Sequence, residues 1–179
     1  MDRMKLHIKQ QDLFHVFPIL HNERVTLRRI QKKDIPQLQE IYDAPLPYEN
    51  ACMLERECER WYKERKEVVL GIFGKDGTLL GLLEIYHVSR RSAEIGYRIR
   101  NAYRRQGYAC SALRLLMRYL KDKTGIYRIT ARTHAANNAS AALLKKCGFR
   151  KVRTKENISE YEFLLQGKSM VQWMAREGI

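Results

Sequence analysis

The chain has 179 residues, a formal net charge of +14 and an apolar fraction of 45%. That length suits one domain with a substantial core, and no apolar run reaches the ~20 residues that span a bilayer. The basic balance favours an anionic ligand, an acidic partner or nucleic acid, and it argues against polyamines as substrates.

Residues 1–22 read as an N-terminal extension with one short apolar patch, Leu13–Leu20. His15 and Pro18 interrupt that patch and no small-residue cleavage site follows, so a signal peptide is not expected and the reading is cytoplasmic. Residues 24–30 alternate with period two, as a strand does. Asp34 then looks like a helix N-cap, with Pro36 in the first turn and Gln37 three residues on. Ile35, Leu38, Ile41 and Tyr42 fall on one helical face, and the run Ala44-Pro45-Leu46-Pro47 ends that helix.

Residues 51–66 suit a charged helix with Met53, Leu54, Cys58, Trp61 and Tyr62 on its apolar side. Val68–Phe73 and Leu79–His87 read as strands joined by the turn Lys75-Asp76-Gly77, a strong hairpin signal. Residues 93–100 make a further strand. From Gly107 to Lys123, Ala109, Ala112, Leu113, Leu116, Met117 and Leu120 share a face, opposite Arg114, Arg118 and Lys121. Residues 128–133 alternate as a strand, 140–147 form a short helix closed by Gly148, and 149–154 and 161–166 are strands. The tail 168–179 follows, with a last helix expected at 168–176.

The four cysteines, Cys52, Cys58, Cys110 and Cys147, form no C-x-x-C pair, and no histidine lies at zinc-finger spacing. Reduced, partly buried thiols are the reading, and no metal is expected. Cys110 alone, at the start of a helix, could be a reactive thiol.

The most informative stretch is Arg104-Arg105-Gln106-Gly107-Tyr108-Ala109. It follows a strand and opens an amphipathic helix. Small residues at alternate positions expose backbone N–H groups at the positive end of the helix dipole, which suits a phosphate or pyrophosphate. Gly107 and Ala109 keep bulk away, and two arginines add charge-assisted donors. Alone, the six residues fit a tightly packed helix start better. Downstream, however, lie Asn137-Asn138-Ala139-Ser140 and Lys146-Cys147-Gly148-Phe149.

The ordered set, R-x-x-G-x-A after a strand, then N-x-x-S and K-x-G-F, resembles the GNAT superfamily of acetyl-coenzyme A-dependent N-acetyltransferases. The phrasing around Glu94-Ile95-Gly96-Tyr97 resembles the RimJ/RimL branch, the ribosomal-protein N-terminal acetyltransferases. The resemblance covers about residues 24–166 and is firmest over 93–153. It implies a mixed α/β fold: a mostly antiparallel mixed sheet of about seven strands, flanked by helices, with two central strands splayed apart to admit the pantetheine arm. The domain would run from 23 to 167. Acetyl-coenzyme A would be held by Tyr97, Arg98, Ile99, Arg104, Arg105, Gln106, Gly107, Tyr108, Ala109, Asn137, Ser140 and Lys146.

Direct amine acetylation needs a base, oxyanion donors and a proton for the departing thiolate; proximity can supply much of the rest. Glu94, which matches the glutamate of the family segment, is the first candidate base. Its ordinary alternative role is a half-buried carboxylate paired with an arginine. Glu84, flanked by apolar residues on the preceding strand, is the second, since burial would raise its pKa. His87 is a distant third. Asn137 and Ser140 suit both helix capping and cofactor contact. The superfamily's usual tyrosine acid falls at Leu144, which leaves Ser140 or water for that role, and Ser111 stands where RimJ/RimL relatives often carry glutamate. Tyr48 and Trp61 lie in the variable acceptor region.

The resemblance thus implies acetyl transfer to an amine, either a protein or peptide N-terminus or a small amine, by a monomer or homodimer. The alternative is a non-catalytic acyl-coenzyme A-binding or nucleic-acid-associated module. No helix-turn-helix, RNA-binding sheet motif or zinc knuckle is present to carry nucleic-acid binding, and no membrane partner is expected.

Overall fold

The computed structural model describes residues 12–165. The helix expected at 168–176 lies outside them. Eight strands form one sheet: β1 (Leu20–His21), β2 (Thr26–Arg28), β3 (Val68–Phe73), β4 (Leu79–Tyr86), β5 (Ser92–Ile99), β6 (Arg128–His134), β7 (Arg150–Lys155) and β8 (Ile158–Leu164). Their spatial order is β1-β2-β3-β4-β5-β6-β8-β7. Every pairing is antiparallel except β5 with β6. The strand beyond the seven expected is β1, a two-residue pairing of Leu20–His21 with Thr26 and Leu27 inside the segment read as an extension.

Two apolar layers cover the sheet. On one face, α3 (Tyr108–Lys123) and α4 (Asn138–Lys146) pack on Leu70, Leu83, Ile85, Ile95 and Ile129. On the other, α1 (Ile35–Leu38) and α2 (Tyr48–Lys63) pack on Val69, Phe73, Leu79 and Leu82. Strand β3 is therefore buried along its whole length, which is why its sequence is a continuous apolar run.

The first helix is shorter than its periodicity predicts. Ile35, Leu38 and Ile41 are all buried, but the helix stops after one turn at Leu38. Asp34 makes no side-chain cap for it. Its carboxylate instead accepts two bonds from Arg28, at 2.8 and 2.9 Å, and one from the Gln31 N–H at 2.9 Å. A guanidinium six residues away outcompetes the local helix N–H groups for the same oxygens.

The feature that positions the site is where β5 and β6 part. Their parallel register runs from Ser92↔Arg128 to Ile95↔Ala131 and ends there. Beyond it β5 continues to Ile99 against β4, while β6 continues to His134 against β8. The two strands diverge, as the splay expectation requires. The β5 edge from Gly96 onward is left without a strand on its β6 side.

Candidate active site

Beyond the splay, Asn101–Tyr103 forms a 3₁₀ turn and leads into the loop before α3. Arg105 has φ +59° and Gly107, the α3 N-cap, φ +84°. The left-handed turn at Gly107 is open to glycine and strained for other residues. Among the described residues, the backbone N–H groups of 105–109 have no intramolecular acceptor. Free donors at a helix start suit an anion.

A residue that composition and motif did not single out holds this loop. Arg24 donates to the Gln106 carbonyl at 2.7 Å, and its guanidinium sits 5.4 Å from the Tyr108 ring centre. Asn22 caps the chain N–H groups of Arg24 and Val25, both at 2.9 Å, and reaches Ser111 Oγ at 3.0 Å. The segment before β2 thus braces the start of α3. Arg24, with Glu23, lines two clefts. One, of about 380 Å³, is lined by Asn22, Gly107, Ser111, Arg118 and Lys146 among others. The second, of about 410 Å³, is lined by Lys75, Thr78, Tyr103 and Tyr108 among others.

Of the predicted cofactor residues, Arg105, Gly107, Tyr108 and Ala109 come together at this loop, and Lys146 reaches the same cleft from α4. Arg104 is otherwise engaged: its Nε donates to the Ile99 carbonyl at 3.0 Å and its Nη2 pairs with Asp43 at 2.5 Å. Gln106 turns its amide back to the Ala102 carbonyl. Arg98 points to the opposite face of the sheet, where its guanidinium lies 4.6 Å from the Tyr42 ring centre. Ile99 belongs to the core on the α3 face.

Asn137 caps α4 by accepting the Ser140 N–H at 3.0 Å. Ser140 Oγ meets the Tyr97 hydroxyl at 2.7 Å. Tyr97 extends from the unpaired stretch of β5 to the start of α4, and burial pushes its phenol up to about 12, so it stays protonated. Cys110 and Cys147 are buried beside this pair with their Sγ atoms 3.1 Å apart.

Two candidate carboxylates occupy the α1/α2 face in contrasting environments. Glu94 is only 8% exposed and fully engaged. It accepts from Arg132 Nε at 2.5 Å and Tyr86 Oη at 3.3 Å, and pairs with His87 Nδ1 at 3.0 Å. Burial alone would raise its pKa, but Arg132 and His87 outweigh that and hold it below the usual carboxylate range. Glu84 pairs in register with Gly96, the first residue past the splay. A Cβ on Gly96 would fall 2.9 Å from Glu84 Oε2, so the missing side chain gives the carboxylate its room. Burial raises the Glu84 pKa, with only Arg98 acting against it. Glu67, which the sequence reading passed over, stands beside β3 with its pKa raised by burial and then by Glu84.

This layout coincides with a known family. The model of the acetyltransferase (GNAT) domain matches residues 24–150. The chain belongs to the GNAT acetyltransferases. It is therefore an acyltransferase of the N-acetyltransferase type, and acetyl-coenzyme A is the acyl donor of such enzymes. The uncharacterized N-acetyltransferase YoaA of Bacillus subtilis is 29% identical over 150 residues, 76% of this chain and 85% of that protein. The putative ribosomal N-acetyltransferase YdaF of the same organism is 25% identical over 145 residues, 72% of this chain and 79% of that one. Among solved structures, a putative ribosomal-protein-serine acetyltransferase from Vibrio cholerae has the same fold, with a TM-score of 0.73 at 18% identity over 83% of this chain and 98% of its own.

Leu144, where the resemblance implies a tyrosine in other members, is 1% exposed in the core. The hydroxyls near the splay are instead those of Tyr97 and Ser140. Among the described residues, no group of three His, Cys, Asp or Glu side chains could hold a metal ion, and no helix is long and apolar enough to cross a membrane.

Proposed function

We propose that the enzyme transfers the acetyl group of acetyl-coenzyme A directly to an amine, a protein or peptide N-terminus or a small amine, with Glu84 as the base. The observation that carries this reading is the placement of Glu84. It is a half-buried carboxylate with no ion-pair partner among the described residues, Arg98 being the one cation acting on it, at the point where the β5 edge opens, on the face away from α3 and α4.

The residues fit the donor. The free N–H groups of 105–109 suit the pyrophosphate, and Gly107 keeps the approach open. The basic cleft at Arg118 and Lys146 adjoins Gly107 and suits the nucleotide end. The β5 edge from Gly96 to Ile99 offers main-chain groups to a pantetheine arm in the manner of an added strand. When bound, acetyl-coenzyme A supplies a thioester carbonyl open to attack and a thiolate as leaving group.

The chain's own work is then proton management and orientation. Glu84, with its affinity for a proton raised by burial, takes one from the incoming ammonium, directly or through water. Ser140 Oγ, 2.7 Å from the Tyr97 hydroxyl, is our candidate for giving the departing sulfur its proton, with the hydroxyl pair resupplied from water. Glu94 does neither; it ties β5 to β6 through Arg132 just before the splay.

Release of free thiol from acetyl-coenzyme A, followed with peptides, amino acids, polyamines and aminoglycosides as acceptors, tests the reading. Turnover with a peptide N-terminus or a small non-polyamine, with an acetylated amine detected by mass, is the expected result. Binding of acetyl-coenzyme A without turnover of any amine would leave the acyl-coenzyme A-binding alternative standing instead.

A further inference from the structure

The acceptor face carries one cation that differs from its neighbours. Arg100 pairs with Glu40, Arg104 with Asp43, and Arg132 with Glu94. Among the described residues, Arg98 has no carboxylate at ion-pair distance, Glu84 being the one whose charge it feels; its guanidinium lies over the Tyr42 ring. Arg98 is exposed, and Tyr42 is 37% exposed at the end of the segment after α1.

Its position relative to Glu84 is set by the β4–β5 register. Glu84 pairs with Gly96, and Leu82 pairs with Arg98. Glu84 and Arg98 are therefore diagonal neighbours on one face, with Cβ atoms separated by about 7 Å. One binds and deprotonates an amine in the proposed reaction. The other is a cation lying over an aromatic ring, with no side-chain hydrogen bond of its own among the described residues, so that its N–H donors can meet an anion.

Resting on the acetyl-transfer reading, we propose that the acceptor is an amine that carries an anionic group a few ångströms from its nitrogen, and that Arg98 selects it. A peptide whose second residue is acidic, or an amino acid with an acidic side chain, has this spacing. A polyamine would set its second ammonium against Arg98. The global charge of +14 draws the same class of acceptor toward the face.

The test compares kcat/KM for peptides that share an N-terminal Ser and carry Glu, Gln or Lys next, with the α-amides of Glu and Gln, whose α-carboxylates are blocked, as a second arm that separates peptide from small-molecule acceptors. The parent enzyme should prefer the acidic member of each pair by about 10- to 100-fold, the range of one charge-assisted contact. Arg98→Gln should remove that preference and Arg98→Glu should invert it. Both should leave the KM for acetyl-coenzyme A and the melting temperature unchanged. An unaltered preference in Arg98→Gln overturns the proposal. So does an effect confined to the KM for acetyl-coenzyme A, which would assign Arg98 to the donor. Turnover with no charge discrimination defeats this inference while the transferase reading stands; failure of every amine defeats the transferase reading as well.

Discussion

Replacing Glu94 by Gln should cost stability and spare turnover. The carboxylate is 8% exposed and bonded to Arg132, His87 and Tyr86. The amide keeps the shape and one acceptor oxygen, but the charge that makes the Arg132 and His87 contacts strong is lost. Full disruption of a buried pair costs about 3–5 kcal/mol. Here Arg132 is 51% exposed and His87 69% exposed, so both regain water, and the loss should be about 1–2 kcal/mol. For a domain of this size that lowers Tm by about 2–8 °C. The sign with pH follows from the depressed carboxyl. Its stabilisation is present above the ordinary value of 4.5 and disappears as pH falls through the lower folded value. The gap in Tm between parent and variant should thus be full at pH 7 and shrink in acid. Thermal melts from pH 3 to 8, with thiol-release rates at pH 7, measure both quantities. A variant with the parent's Tm and a hundredfold loss of kcat would refute the reasoning and return the role of base to Glu94.

Gly107→Glu should abolish acetyl-coenzyme A binding by calorimetry, since it puts a carboxylate at the anion site and a side chain on a residue with φ +84°; retained affinity would place the pyrophosphate elsewhere. Asn137→Ala removes the α4 cap and should cost about 1 kcal/mol, or about 2–4 °C in Tm. Because Ser140 loses its anchored N–H in the same variant, kcat should fall more than the KM for the donor; an unchanged melt would show the cap to be idle.

Much of the sheet was legible because its signals are local. The Val68–Phe73 and Leu79–Tyr86 runs carry the apolar pattern of buried strands, and Lys75-Asp76-Gly77 marks their turn. The loop at Gly107 was legible because a left-handed residue at a helix start constrains residue type. What escaped depends on contacts far apart in the chain. Asp34 has the sequence context of a cap, and only the fold shows Arg28 taking its oxygens. Arg24 lies 82 residues from the carbonyl it holds, and nothing local marks it. The hairpin at Glu156-Asn157, both with positive φ, could have been found, since Asn tolerates that conformation. Glu84 and Glu94 are two carboxylates on adjacent strands with similar flanks. Their difference is that Arg132 reaches one and not the other, and register alone decides that. Glu67 was missed for the same reason: its desolvation comes from packing, and no motif encodes it.

The central claim is that a desolvated Glu84 accepts the amine's proton, and the pH dependence of kcat in Glu84→Gln tests it most directly. Burial raises this carboxyl in the folded state, so its ionised form opposes folding as pH rises above the ordinary 4.5. The amide removes that penalty, and Tm at pH 8 should equal or exceed the parent's. Against that stable background kcat should drop by about 10²–10⁴-fold. The acidic limb of the profile should vanish, and acetyl-coenzyme A affinity should hold. A Glu84→Gln enzyme that turns over saturating amine at the parent's rate, with the acidic limb intact, would contradict the account.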